Sequence, residues 1–481
     1  MQNINYLSTK RLYNYPRKYE KYDQRSDFQK DYHNIITSSA FRRLQDKTQV
    51  FPLDKSDYVR TRLTHSLEVA SIARSIVQAS CNYFNSKDHP NEKQKEFAKQ
   101  ESMLSDIVQC AALLHDIGNP PFGHFGETII GTWFKKNLDS FYDSSDLTDQ
   151  MRNDLTNFEG NAQALRIITR LQNINKESAS DFTSAVLNSI IKYPIPSNFK
   201  ATTENKVYYH KFGYFLSEVP LFNQIVNNTG YKGKRYILTY ILEAADDIAY
   251  RIADTDDSLK KGLITPEQLF DELKHNKYGE CCGLSDYVHL SAAIDEFPIL
   301  SDTFSSTDKK GQLKQWFTGI QSKLISAASF SFTKNFNEIL NGTYAYDLFE
   351  DSYSFYLMQF FKDIAKKYIF ESPELLKLEI AANEILQFLL DKFCNAVIDY
   401  DPLTDTVTGD ALHQKLCSLI SENYKNVCQD EFKWLQSQFL DDSEKNGYQL
   451  YFKLLLVTDF ISGMTDSYAK RLYHELKGIN L

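Results

Sequence analysis

Ser105-Asp106-Ile107-Val108-Gln109-Cys110-Ala111-Ala112-Leu113-Leu114-His115-Asp116-Ile117-Gly118-Asn119-Pro120-Pro121 is an apolar run that closes on two ionisable residues and is then stopped. Ile107, Val108, Ala111, Ala112 and Leu114 recur at helical spacing, which predicts a buried helix over 105–117. Gly118 to Pro121 ends it, because the two prolines cannot continue a helix. His115 and Asp116 then fall in the last turn beside Leu113 and Leu114, where ionisable groups need partners if they are buried.

Outward from this stretch, Leu67, Ala70, Ile72, Ala73, Ile76 and Val77 mark a second helix over 64–84, with Thr64 as its N-cap and His65 opening it. Further helical patterns cover 126–138, 160–171, 235–254, 354–369, 373–397, 411–425 and 450–476. The polar stretches 85–100, 139–156, 195–206 and 276–314 read as insertions, and 206–214 as a small hairpin. We therefore expect an all-α fold: one helical core over 1–340 and a helical C-terminal extension over 341–481.

Composition sets limits on the rest. With 3 Trp, 30 Tyr and 33 Phe among 481 residues, and only 18 Gly and 12 Pro, the chain can fill a large core and is poor in turns. The formal charge of −9 argues against a generally basic nucleic-acid surface, so a polyanionic ligand would have to meet a local basic patch. The seven cysteines are scattered, without a C-x-x-C pair, which points to a reducing compartment and not to a disulfide framework. No apolar run approaches the roughly 18 residues of a membrane span, and the first residues lack an apolar signal core. A cytoplasmic protein is expected.

Only ten histidines occur, yet His65, His115 and His124 fall in motifs that also hold acids and glycine turns. His65, His115, Asp116 and an aspartate of Glu243-Ala244-Ala245-Asp246-Asp247 offer two imidazoles and two carboxylates. Such a set suits a six-coordinate divalent ion, Mg²⁺, Mn²⁺ or Fe²⁺, with open positions. Beyond Pro121, His124 and Glu127 stand three residues apart on one helix face, so the carboxylate could orient the imidazole for proton transfer. From 41 to 62, Arg42, Arg43, Lys47, Lys55, Arg60 and Arg62 face only Asp46, Asp54 and Asp57, which suggests a phosphate cradle.

Four stretches together resemble a known family: Arg62-Leu63-Thr64-His65-Ser66-Leu67-Glu68-Val69, Leu114 to His124, Phe158-Glu159-Gly160-Asn161-Ala162-Gln163, and Glu243 to Tyr250. They are similar to the deoxyguanosine triphosphate triphosphohydrolases (dGTPases) of the HD-domain metal-dependent phosphohydrolases. The likeness extends to Arg42 to Val50 and to Asp459 to Asp466. Asn119, where many relatives carry His, resembles the dGTP-selective branch.

The resemblance implies an HD-domain helical core whose metal site lies within residues 65–254, with His65, His115, Asp116 and Asp246 as ligands and His124 and Glu127 as the catalytic pair. It implies that Tyr250 and Asp254 meet the deoxyribose, Gln49 the 3′-hydroxyl, and Arg62 and Lys211 the phosphate oxygens, with Asn161 a further substrate-binding residue. Phe370 and Glu379 resemble residues that stack on and read guanine. The implied reaction is attack at the α-phosphorus of dGTP, giving deoxyguanosine and tripolyphosphate. The alternatives are a relaxed dNTP triphosphohydrolase, or a regulator that binds nucleotide or single-stranded DNA through a vestigial HD site. A homo-oligomer, often a hexamer in this family, is the expected assembly, its contacts carried by the C-terminal extension, which would also complete the substrate pocket.

Overall fold

The computed structural model describes residues 4–13, 23–53, 58–172, 181–199, 211–278, 288–298 and 306–479. The architecture is all-α. The one sheet among the described residues is a two-stranded antiparallel hairpin that pairs Tyr400 with Val407 and Asp401 with Thr406. The hairpin expected at 206–214 lies mostly outside the described residues, since 200–210 are not among them.

At the centre is the helix Glu101–Leu114. Leu104, Ile107, Val108, Cys110, Ala111, Ala112, Leu113 and Leu114 are all inaccessible to solvent, while Ser102, Asp106 and Gln109 keep one polar face partly open. It packs along the helix Arg62–Ser86, which also rests on Ile237–Lys261 and Ser306–Lys334. Alanines at 70, 73, 111 and 112 keep the facing surfaces low, and the helices bring their histidines together at one end.

The Arg62–Ser86 helix starts one turn before the expected N-cap. Thr61 is the cap: its hydroxyl accepts the Thr64 amide and the Thr64 hydroxyl accepts the Thr61 amide, a reciprocal capping box. Arg62 therefore sits in the first turn, while Leu67 is half exposed and not part of the core. Other boundaries shift for similarly local reasons. Residues 411–425 and 450–476 are not single helices: the chain breaks into Ala411–Ser418 and Glu422–Gln436, then Asp442–Ser462 and Asp466–Lys477, with Thr465 capping the last. The stretches read as insertions also carry helices, including Glu92–Lys99, Asp149–Thr156, Val288–Asp295 and the start of Ser306–Lys334.

The C-terminal helices are welded to the rest by buried charge. Arg166, 1% exposed, ends the short helix Gly160–Arg166. Its Nη1 reaches Glu431 Oε1 at 2.8 Å and Glu218 Oε1 at 3.0 Å, and its Nη2 and Nε meet Asp459 at 2.8 and 2.9 Å. Gln163 donates to the same Asp459 carboxylate at 2.8 Å, and Arg170 completes Glu218 at 3.0 Å. Burial pushes the Asp459 and Glu218 carboxyls up despite these cations.

Removing the guanidinium would leave three buried carboxylates short of their shared partner. Arg166→Met is therefore expected to cost about 3–5 kcal/mol of stability, read as a lowered midpoint of denaturant unfolding. An unchanged midpoint would show that the cluster contributes nothing net to the fold.

Candidate active site

His65 and His115 approach with ring centroids 5.5 Å apart. Ligand atoms of His65, His115 and Asp116 all lie within 4.8 Å of one another, a grouping that could hold a metal ion. Asp246, from the helix Ile237–Lys261, closes the fourth side: its Oδ1 is 3.0 Å from His65 Nε2 and 3.5 Å from His115 Nε2. Asp247 points elsewhere, 3.9 Å from Arg251, and burial raises its carboxyl to about 6.

Two observations fit this group to a cation. The Nδ1 of His115 lies 2.7 Å from the carbonyl of Ala112, the arrangement in which Nδ1–H donates and Nε2 turns its lone pair inward. That Nε2 is buried and has no hydrogen-bond partner. The pocket also favours positive charge at that nitrogen: although burial opposes it, Asp116 and Asp246 raise the His115 imidazole to about 9, so a proton and a metal ion compete for the same lone pair. Asp116 is itself fixed from behind, since Arg62 Nη1 donates to Oδ2 at 2.7 Å and Asn119 Nδ2 to Oδ1 at 2.5 Å.

The Asn119–Gly123 turn then delivers the second pair. Phe122 adopts a left-handed conformation with φ 66°, and Gly123 follows with φ 63°. A side chain at Gly123 would meet the Arg62 guanidinium at 2.6 Å, so glycine is required there for space as well as for conformation. His124 Nδ1 lies 3.0 Å from Glu127 Oε2, and the other Glu127 oxygen accepts the Gly160 amide at 3.1 Å. The His124 side chain is 69% exposed while Glu127 is 9% exposed, so a seated carboxylate holds an open imidazole. Glu127 raises the His124 pKa, and His124 lowers that of Glu127 against its burial.

Glu159 organises the flank. It accepts Asn161 Nδ2 at 2.6 Å and pairs with Lys211 at 2.9 Å, which leaves Lys211 4.0 Å from Glu127. Burial opposes charge on Lys211, but Glu159 and Glu127 outweigh it and raise its pKa. On the Ile237–Lys261 helix, Tyr250 is the hydrogen-bond partner of Asp254, which is 1% exposed and whose carboxyl is raised well above its ordinary range, first by burial and then by Asp257. Asp254 Oδ2 and Gln49 Oε1 are buried without hydrogen-bond partners. Phe370 ends a π-turn, Ala365–Phe370, that packs against the Ile237–Lys261 helix. Phe370 is 40% exposed, and burial raises the half-buried Glu379 carboxyl.

The basic stretch before His65 is not an open cradle. Among its described members, Arg42 caps the carbonyl of Thr37, Arg43 holds Tyr424, Lys47 binds two carbonyls, Arg60 pairs with Glu68, Asp256 and Asp257, and Arg62 serves Asp116. Lys55 lies outside the described residues. The cation that sequence reading missed is Lys192, whose Nζ is 3.5 Å from Glu243 Oε1 and whose pKa is raised against burial by Tyr193, Glu243, Asp246 and Asp247. Its only sequence signal is the motif Ile191-Lys192-Tyr193-Pro194 after an apolar helix. A cavity of about 520 Å³ between Gln45–Thr48 and the last helix is separate, since none of the four metal-set residues lines it.

An apolar bundle presenting two histidines, two aspartates and a flanking His–Glu pair defines an HD-type hydrolase site, and the HD domain family matches residues 62–174. Over 468 residues, 95% of each chain, the protein is 38% identical to a deoxyguanosinetriphosphate triphosphohydrolase-like protein of Listeria monocytogenes. It is 32% identical to deoxyguanosinetriphosphate triphosphohydrolases of Yersinia pestis and Serratia proteamaculans, again over 95% of both chains. The chain belongs to the dGTPase family of the HD-domain phosphohydrolases, a metal-dependent family of hydrolases. Among its described residues no helix is long and apolar enough to cross a membrane.

Glu127→Gln removes the charge that favours the imidazolium. The His124 titration followed by NMR is expected to fall back toward the ordinary imidazole value; a titration that stays raised would place the cause elsewhere. Asp116→Ala is expected to weaken Mn²⁺ binding by at least about 10- to 100-fold, read by metal analysis after dialysis.

Proposed function

We propose that the protein hydrolyses dGTP to deoxyguanosine and inorganic tripolyphosphate. The observation that carries this reading is that one side chain, Arg62, joins a cation-seeking His65–His115–Asp116–Asp246 pocket to the turn of His124: it bonds Asp116 and lies against Gly123, and the His124 Nδ1 is engaged by Glu127. A divalent ion held by His65, His115, Asp116 and Asp246 would supply Lewis-acid polarisation of the phosphate and offset its charge.

The chain's own residues divide the remaining work. Lys192, Lys211 and Asn161 bind the triphosphate, whose charge their donors meet directly. Arg62 acts from behind, through Asp116. Asp254 and Gln49, each with an unpartnered buried oxygen, take the sugar hydroxyl, and Tyr250 packs beneath the deoxyribose. Phe370 and Glu379 face the base.

Water attacks the α-phosphorus and the bond from phosphorus to the 5′-oxygen breaks, so the water oxygen stays on the tripolyphosphate, and the proton that the water gives up passes to solvent, from which His124 is reprotonated after the step. The leaving 5′-oxygen takes a proton from His124 Nε2, the nitrogen turned away from Glu127. The raised pKa of His124 supports this role as acid, because more of the imidazole carries the proton at neutral pH.

The test is to incubate the Mn²⁺- or Mg²⁺-loaded protein with each of the four dNTPs and with GTP, and to resolve the products by ion exchange. Deoxyguanosine plus tripolyphosphate from dGTP alone is the expected result. Equal turnover of all dNTPs would remove the selectivity and keep the chemistry. No turnover with either metal would favour a binding regulator, which filter binding to single-stranded DNA across a salt series would then examine. His124→Ala is expected to lower turnover about 10²- to 10⁴-fold while dGTP still binds, and retention of full turnover would overturn its assignment as the acid.

A further inference from the structure

The last helix, Asp466–Lys477, is capped by Thr465, whose side chain accepts the Tyr468 amide. Asp466 is therefore not needed for its own helix, and its carboxylate goes elsewhere. It is 3% exposed. Oδ1 accepts the Phe122 amide at 2.9 Å and Oδ2 accepts the Thr48 amide at 3.0 Å, across 344 and 418 residues of chain.

These two amides stand beside two residues of the substrate reading given above. Thr48 precedes Gln49, and Phe122 stands two residues before His124. Phe122 is also the non-glycine residue held at φ 66°, a conformation that needs support from its surroundings. The neighbouring Lys47 adds a second tie, donating to the Asn119 carbonyl at 2.6 Å and to the Ser462 carbonyl at 2.7 Å. The same segment reaches Arg62, whose amide donates to the Lys47 carbonyl at 3.0 Å.

We propose that Asp466 is a positioning residue: by accepting the Thr48 and Phe122 amides on one carboxylate, it fixes the separation between Gln49 and His124. The sugar and the α-phosphorus are held in register only while both amides stay on this anchor. The catalytic part of this proposal rests on the reading of the substrate given above.

Asp466→Asn tests it, since the amide is nearly isosteric but can offer an acceptor to only one of the two N–H groups. The full-length, Mn²⁺-loaded protein is assayed for kcat and KM with dGTP and with 2′,3′-dideoxyguanosine triphosphate. Hydrogen exchange is followed by mass spectrometry in peptides spanning 45–50 and 119–125. The variant is expected to keep its metal, to lose about 10- to 100-fold in kcat, and to lose about fivefold of the preference for the 3′-hydroxyl. Exchange is expected to quicken in those two peptides and to stay unchanged in 69–84.

Ser467→Ala is the control, because it removes only the bond from Ser467 to Asp46 and leaves Asp466 in place; its turnover is expected to match wild type. Unchanged kcat per metal-loaded site with an unchanged 3′-hydroxyl preference would overturn the proposal, even if melting temperature fell. Should Asp466→Asn not fold, Asp466→Glu, which moves the carboxylate by one methylene, is read against the same criteria. Failure of the wild type to hydrolyse dGTP would overturn the substrate reading and the catalytic part together, while exchange at the two peptides would still decide the tether.

Discussion

A guanidinium sealed from water cannot be left without carboxylates, and Arg166 obtains them from three separate parts of the chain. Glu218 precedes the helix Val219–Thr229, Glu431 lies on Glu422–Gln436, and Asp459 on Asp442–Ser462. The helix that Arg166 closes begins at Gly160 and Asn161, whose neighbours are Glu127 and Glu159. Through this one side chain the C-terminal helices are coupled to the floor of the site. The gain is in specificity of arrangement: a buried ion cluster tolerates few alternative packings.

The same logic operates at smaller scale around the turn that carries His124. Gly118 lies so close to the Gly160 carbonyl and the Ala164 backbone that neither helix could approach with a side chain there. At Gly160 an added Cβ would meet Asn119 Oδ1 at 2.6 Å and press on Glu127 as well. These two glycines are needed for close approach and not for a left-handed backbone, whereas Gly123 answers to both demands. The turn is thus held by contacts on every side: Arg62 beneath, Lys47 on the Asn119 carbonyl, and Asp466 on the Phe122 amide.

Electrostatics divides the site into two zones. Around His65 and His115 the carboxylates Asp116 and Asp246 draw cations inward. Lys192 and Lys211 stand on the flank, each leaning on a buried glutamate, Glu243 or Glu159, that keeps it protonated. A protein of net charge −9 can attract a polyanion only by concentrating charge in this way. His124 stands at the edge of the site, open to solvent, and Glu127 tunes it from the buried side.

What the sequence determined by itself was everything set by near neighbours along the chain. The buried helix that leads into His115, the turn at Gly118-Asn119-Pro120-Pro121 and the spacing of His124 to Glu127 are local facts, fixed by periodicity and proline stereochemistry, although the helix spans Glu101–Leu114 and not 105–117. Helix ends were less legible, because the capping box at Thr61–Thr64 and the break at Gly463-Met464-Thr465 are each decided by one or two side chains. The tertiary structure alone decided where buried charge goes. A run of arginines and lysines reads the same whether it faces phosphate or protein, and Arg43, Lys47, Arg60 and Arg62 turned inward to partners tens or hundreds of residues away. That Asp246 faces the two histidines while Asp247 faces Arg251, and that Lys192 approaches Glu243, likewise follow from which helix face meets which neighbour, a matter of packing that no local spacing encodes.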